Sequence, residues 1–161
     1  RVIDHGARWE PIEVGAAVSR DATNDVTSTA LQAKFRFTAS QPGGCNVGAV
    51  IGISQATTGG ASTNTPYVNG LLTCNMAAGS LHFNLGSMQP SGSAALTTWG
   101  IAFERELGPV TAHVEYFGVT DSQPTFQLGA RTELVKNLQL DATVGRINND
   151  TLLSLGLKFQ F

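Results

Sequence analysis

The feature that most constrains this chain is the alternation of apolar and polar residues at every second position. In "TALQAKFRFT" (29–38) the apolar residues from Leu31 onward are separated by Gln32, Lys34 and Arg36. The closing stretch "TLLSLGLKFQF" (151–161) has the same pattern. A period of two belongs to a β-strand that is apolar on one face, whereas an amphipathic helix repeats every 3.6 residues. Helical periodicity is almost absent, and the sequence therefore predicts an all-β fold.

About eleven segments of roughly ten residues carry this alternation, and that length matches a tilted strand that crosses a membrane. The predicted strands are 1–8, 12–19, 29–38, 46–56, 67–77, 80–88, 95–106, 109–119, 126–134, 138–145 and 151–161.

The connections between these segments alternate between short and long. Tight turns are predicted at "AAGS" (77–80), "ELGPV" (106–110) and "VKNLQ" (135–139), and long polar loops at "SRDATNDVTST" (19–29) and "QATTGGASTNTP" (55–66). Short turns on one side and longer loops on the other are typical of outer-membrane β-barrels.

Charged side chains inside the segments fall on the polar face, except Arg105 and Arg146, which lie near strand ends where a long side chain reaches the interface. We expect Arg131 to pair with Glu133, Glu115 or Asp141. The side chains predicted to face a lumen are Glu13, Lys34, Arg36, His82, Glu104, His113, Glu115, Arg131, Glu133, Asp141 and Lys158.

Alternation alone does not decide which face lies outside, because a soluble sandwich alternates in the same way. Only 14% of the residues are charged, against about 25% in soluble domains. The polar face is rich in glycine, which suits the crowded concave side of a barrel. Aromatic residues lie toward predicted strand ends, as in interfacial girdles. These are Tyr67, Trp99, Tyr116, Phe126, Phe159 and Phe161.

These features together predict one domain over 1–161, a transmembrane antiparallel up-and-down β-barrel. Single-chain bacterial barrels have even strand numbers, so the odd count of eleven means either that one strand is misread or that a strand before Arg1 is missing from this chain. We expect about twelve strands, with ten as the alternative. No stretch approaches the ~18 apolar residues of a membrane helix. We expect an export leader to have been removed already.

Cys45 and Cys74 have the same apolar parity on strands that are expected to pair. A disulfide is plausible in an oxidising compartment. The alternative is two separate small apolar residues, and both readings stay open.

His82 and His113 are candidates for catalysis, together with Asn84 and Glu115. A hydrolase would need a nucleophile and an orienting group in contact with the histidine, and no serine stands out. We therefore predict hydrogen-bonded lumen histidines and no enzyme. No cofactor or metal site is expected, because close ligand spacing is lacking. The formal net charge of −2 gives no basic field for nucleic acid.

The closing strand, which ends on Phe159 and Phe161, resembles the C-terminal signal of Gram-negative outer-membrane β-barrels. That resemblance implies recognition by the barrel-assembly machinery and a lipid bilayer around the chain. It places Phe159 and Phe161 at the membrane interface, and Trp99 and Tyr116 are expected there as girdle residues.

The motifs "TWGIAFERELGPVTAHVEYFG" (98–118) and "PTFQLGARTELVKNLQLDATVGR" (124–146) resemble the closing portion of the family associated with the meta-pathway of phenol degradation. This family contains outer-membrane or transport proteins. The resemblance implies a bacterial outer-membrane location and a passive channel for small, hydrophobic or aromatic solutes. Two other functions stay open, namely a structural or partner-binding barrel with a plugged lumen and a soluble barrel with an apolar ligand. Oligomers and protein partners also stay open.

Overall fold

The computed structural model describes residues 12–21, 25–39 and 41–159, and within them ten strands form one sheet in sequence order. Every neighbouring pair is antiparallel, so the topology is up-and-down, and the sheet curls into a half-barrel. The strands are β1 (Ile12–Asp21), β2 (Val26–Arg36), β3 (Cys45–Thr58), β4 (Ala61–Met76), β5 (Gly79–Met88), β6 (Leu96–Leu107), β7 (Val110–Val119), β8 (Thr125–Val135), β9 (Leu138–Ile147) and β10 (Asp150–Phe159).

The all-β, up-and-down prediction is confirmed, and the described part of the chain carries ten strands, the alternative count. The strand expected in 1–8 lies outside the described residues. Among the described strands β1 and β10 are not paired with each other, so this sheet has two edges. No helix in the described ranges is both long and apolar enough to cross a membrane.

The three predicted tight turns are confirmed at 77–78, 108–109 and 136–137. Gly108 and Asn137 adopt positive φ values of 69°, which glycine and asparagine tolerate better than other residues. All three turns lie at the end of the sheet where β10 finishes, and we call this the turn end. The opposite end, which carries the connections 22–25, 59–60, 89–95, 120–124 and 148–149, is the loop end.

The two predicted long loops are wrong in extent. Most of 55–66 belongs to β3 and β4, which are joined at Gly59 and Gly60, and both glycines have positive φ. The hairpin continues past its apolar part with polar side chains. Gln55 Nε2 donates to Asn64 Oδ1 at 3.0 Å, and two residues nearer the turn the hydroxyls of Thr57 and Ser62 are hydrogen-bonded to each other. In 19–29 the residues 19–21 belong to β1 and 26–29 to β2, while 22–24 lie outside the described residues. The polar composition of 55–66 therefore predicted a loop where the structure has the solvated end of a β-hairpin.

Large apolar side chains project from the convex face of the sheet and are exposed. Leu155 is 82% exposed and Leu128 is 49% exposed, and the described residues contain no buried hydrophobic side chain. Of the exposed large apolar residues in the strands, only Phe117 and Leu152 lie on the concave face. The predicted apolar exterior is confirmed, because a soluble domain would bury these side chains in a core.

The convex apolar surface has a sharp upper limit on β3 and β4. Toward the loop end, Ile53 and Pro66 are followed by the polar Gln55 and Asn64. From Pro66 to Met76 the apolar face covers about 34 Å of strand at ~3.4 Å per residue. With a strand tilt of roughly 40° this corresponds to a height of about 26 Å, close to the ~25 Å apolar band of membrane barrels.

Candidate functional site: a charged cluster on the concave face

Polar side chains from five consecutive strands meet on the concave face of the sheet. We define the concave cluster as Thr73 of β4, His82 of β5, Glu104 of β6, His113 and Glu115 of β7, and Gln127 and Arg131 of β8.

Glu104 and Arg131 form the strongest contact of the cluster, a bidentate ion pair. Arg131 Nη1 donates to Glu104 Oε1 at 2.8 Å and Arg131 Nη2 donates to Glu104 Oε2 at 2.6 Å. The pair joins β6 to β8 and crosses β7, which lies between them. Two parallel charge-assisted bonds fix both side chains in one geometry.

The expected partners of Arg131 were wrong, because its ion pair is with Glu104. Asp141 is directly opposite Arg131 on β9, yet the guanidinium extends the other way. Strands two apart are about 9.6 Å from each other in a sheet, and curling brings their concave side chains closer. Arginine is long enough to cross that gap, so a partner two strands away competes with the nearest neighbour.

His82 connects the ion pair to β4. Its Nδ1 is 2.9 Å from the Thr73 hydroxyl and its Nε2 is 3.4 Å from Glu104 Oε2. The three side chains are thus arranged as in a hydroxyl–imidazole–carboxylate relay, formed in that order by Thr73, His82 and Glu104. Catalysis would also need hydrogen-bond donors for an oxyanion, but Thr73 lies inside β4 with strands paired on both sides. Glu104 is engaged by Arg131 as well. The trio therefore fits a structural network better than a hydrolase.

His113 is the most enclosed polar group of the cluster, with 4% of its side chain exposed. Gly129 makes this possible, because a Cβ at that position would overlap the imidazole ring. His113 Nε2 lies 4.0 Å from Glu115 Oε1, while Nδ1 has no hydrogen-bond partner in the structure. Gln127 Nε2 donates to the second oxygen of Glu115 at 2.8 Å.

The other predicted lumen residues lie away from the cluster. Lys34 is opposite Glu13 on β1, and Arg36 lies near the end of β2. Glu133 accepts a 2.8 Å hydrogen bond from the backbone N–H of Asn137 and so holds a turn. The backbone of Lys158 is paired with Gln139, but the Lys158 side chain lies outside the described residues.

Tyr67 was predicted at a membrane interface, and the structure places it elsewhere. It lies inside β4 on the concave face, where its hydroxyl donates to Gln32 Oε1 at 3.0 Å across β3. Its ring lies over Gly52, where a Cβ would clash with it. The same arrangement joins His113 to Gly129. In both cases a glycine occupies a polar-face position of the alternating pattern and is paired with a large polar residue on the neighbouring strand. This combination is the sequence signal from which both contacts could have been predicted.

Trp99 and Tyr116 lie on the convex face toward the loop end. Their ring centroids are 5.2 Å apart with an interplanar angle of 65°, an edge-to-face contact. Phe126 of β8 is opposite Tyr116 in the strand register. Phe159 closes β10 at the turn end, while its side chain and all of Phe161 lie outside the described residues.

Cys45 and Cys74 are opposite each other in the β3–β4 register and are joined by a disulfide. The bond lies near the turn end and beside the 37–44 connection. Backbone hydrogen bonds tie that connection to the same place, since Asn75 N donates to Gly44 O at 2.9 Å. The two cysteines therefore link β3 to β4 where the longest turn-end connection meets the sheet.

A pocket of about 530 Å³ opens beside the cluster at the turn end. Its lining includes Gly79, Ser80, Glu104, Glu106 and Arg131. Over the described residues, no group of three or more histidine, cysteine, aspartate or glutamate side chains has the arrangement of a metal site. The arrangement can hold water, ions and small polar groups.

No protein-family model matches the chain, and no curated protein is similar to it. The resemblance to the meta-pathway family thus gains no support from these comparisons. Among solved structures, two mutants of the Rh. blastica porin align at 9% sequence identity. One alignment covers 99% of this chain and 95% of that porin chain with a TM-score of 0.36, and the other covers 93% and 100% with a TM-score of 0.34. These scores are too low to assign a fold, so the topology rests on the strand register alone.

Proposed function

We propose that this chain forms the wall of a β-barrel channel in the bacterial outer membrane, through which small solutes pass passively. The observation that carries the proposal is the inside-out distribution of side chains. Exposed leucine, valine and isoleucine residues cover the convex face, and the concave face holds the ion-paired cluster.

The convex face supports a lipid environment. A monomeric soluble protein rarely exposes contiguous apolar patches larger than a few hundred Å², whereas here apolar side chains project from every described strand. The apolar height of about 26 Å and the aromatic pair Trp99–Tyr116 near its loop-end limit fit a bilayer.

The concave face supports a hydrated interior. Charges that lie inside a membrane protein face a lumen or a partner charge, because hydrocarbon solvates them poorly. On this face Glu104 and Arg131 pair with each other, and Glu115 accepts a hydrogen bond from Gln127. An apolar ligand inside a soluble barrel would instead require apolar side chains here, so this distribution disfavours that alternative.

The proposed barrel must be closed, since unpaired strand edges are not tolerated in hydrocarbon. Among the described strands, β1 and β10 are the two with an unpaired edge. The proposal includes recognition of the C-terminal strand by the barrel-assembly machinery, and small hydrophobic or aromatic compounds as the solutes. Both rest on the resemblances of the sequence.

Liposome swelling and planar-bilayer recording test the proposal. The purified protein should require detergent, insert into lipid vesicles, and produce stepwise conductance. Swelling rates with sugars and with small aromatic solutes would then rank the substrates. Stable insertion without conductance or swelling would establish the plugged structural barrel instead, and extraction in detergent-free buffer would overturn the membrane location.

A further inference from the structure

The concave face of β6–β9 carries an unequal distribution of charge. Arg131 is the one arginine or lysine that projects from these strands on that side, and its charge is bound by Glu104. The other carboxylates of this face, which form no ion pair with a described arginine or lysine side chain, belong to Glu106, Glu115, Glu133 and Asp141. We call the concave face of β6–β9 the acidic wall.

Two histidines lie within the acidic wall or beside it, and each one faces a carboxylate. His82 packs between Thr73 of β4, which does not titrate, and Glu104 of β6. His113 has Glu104 opposite it on β6, Gly129 opposite on β8 with Arg131 two residues further, and Glu115 on its own strand. These are the charged groups that face the two rings.

The carboxylates beside His113 are the groups that favour a charged ring. Nε2 of His113 lies 4.0 Å from Glu115 Oε1, and Glu104 is opposite His113 in the register, while Nδ1 has no hydrogen-bond partner among the described residues. At neutral pH the two carboxylates of the cluster outnumber the single guanidinium. Protonation of both imidazoles in acid would make positive charge predominate in the same space.

We propose that His82 and His113 control the ion selectivity of the lumen, which prefers small cations at neutral pH and loses much of that preference in acid. The proposal rests on the channel function given above. A cation moving along the acidic wall is attracted by Glu115 and Asp141, while the bound Arg131 repels it little. Once the histidines are charged, they oppose that attraction at the level of the cluster, and rings of charge of this kind determine selectivity in other pores.

Reversal potentials in a KCl gradient test this at pH 7.5 and pH 5.5, where most exposed carboxylates remain ionised. The wild-type channel should prefer K⁺ at pH 7.5, and its K⁺/Cl⁻ permeability ratio should fall by about twofold or more at pH 5.5. In the double variant His82→Asn, His113→Asn the ratio should stay constant between the two pH values.

A variant that fails to fold is recognised by the loss of conductance steps. The single variants His82→Asn and His113→Asn, which should each remove part of the pH effect, then replace the double variant. If the wild type conducts but its selectivity is independent of pH, or favours anions at pH 7.5, the histidine proposal is wrong and the channel stands. If the wild type never conducts, the channel function falls and this proposal with it.

Discussion

A single positive charge on the convex face tests whether that face meets lipid. Leu128 lies on the convex face of β8, two residues from Phe126 toward the turn end, with Val114 and Val144 as its neighbours in register, and is 49% exposed. In water Leu128→Arg would be tolerated, because half of the side chain is already solvated. In a bilayer a lipid-facing arginine of a barrel costs about 2–4 kcal/mol at the midplane and less toward the interfaces. We expect about 2 kcal/mol at this position, which lowers the folding equilibrium constant by about thirtyfold.

Ala102→Arg is the matched control, since Ala102 lies on the concave face of β6 between His82 and Glu115 in the register. There the same side chain gains water and a carboxylate, and we expect a cost below about 1 kcal/mol. Urea titration of both variants in lipid vesicles, followed by tryptophan fluorescence, measures the difference. Equal stabilities of the two variants, or a more stable Leu128→Arg, would refute the assignment of the faces.

Three further perturbations address the cluster and the disulfide. Glu104→Gln removes one charge of the ion pair and leaves Arg131 uncompensated, so the free energy of unfolding should fall by about 1–3 kcal/mol in urea titrations; an unchanged midpoint would mean that the pair contributes nothing. Gly129→Ala places a methyl group where the imidazole of the neighbouring strand lies, so the histidine resonances in NMR spectra should shift, and unshifted resonances would contradict the packing. Cys45→Ser with Cys74→Ser should lower stability by about 3.6 kcal/mol on the chain-entropy estimate for a sequence separation of 29, and the wild-type protein should show no reactive thiol in a mass-shift assay with an alkylating reagent.

The strands were predictable because their signal is local. Each strand places alternate residues in two different environments, so period-two alternation records the fold in every segment. The tight turns at Gly108 and Asn137 were predictable for the same reason, since a positive φ restricts the residue type at one position. The hairpin at Gly59 and Gly60 was missed because its strands leave the apolar band and lose the alternation.

The concave contacts were only partly predictable. The alternating pattern predicts that the side chains of Glu104 and Arg131 lie on the same face of the sheet, and the structure confirms this. That they bond across β7 depends on the curvature of the sheet and on the length of the arginine side chain. The contact of Tyr67 was also missed. Tyr67 occupies a polar-face position of the alternating pattern, but its aromatic side chain suggested the membrane interface.

By itself, the sequence determined the strands, most turns and the two faces, since these follow from relations between residues a few positions apart. Only the tertiary structure determined which charged side chains pair, that His113 is enclosed, and that the rings of Tyr67 and His113 lie over Gly52 and Gly129. Those contacts join strands that are neighbours, or neighbours but one, in space and more than ten residues apart in sequence. Only the curvature and register of the sheet bring them within bonding distance.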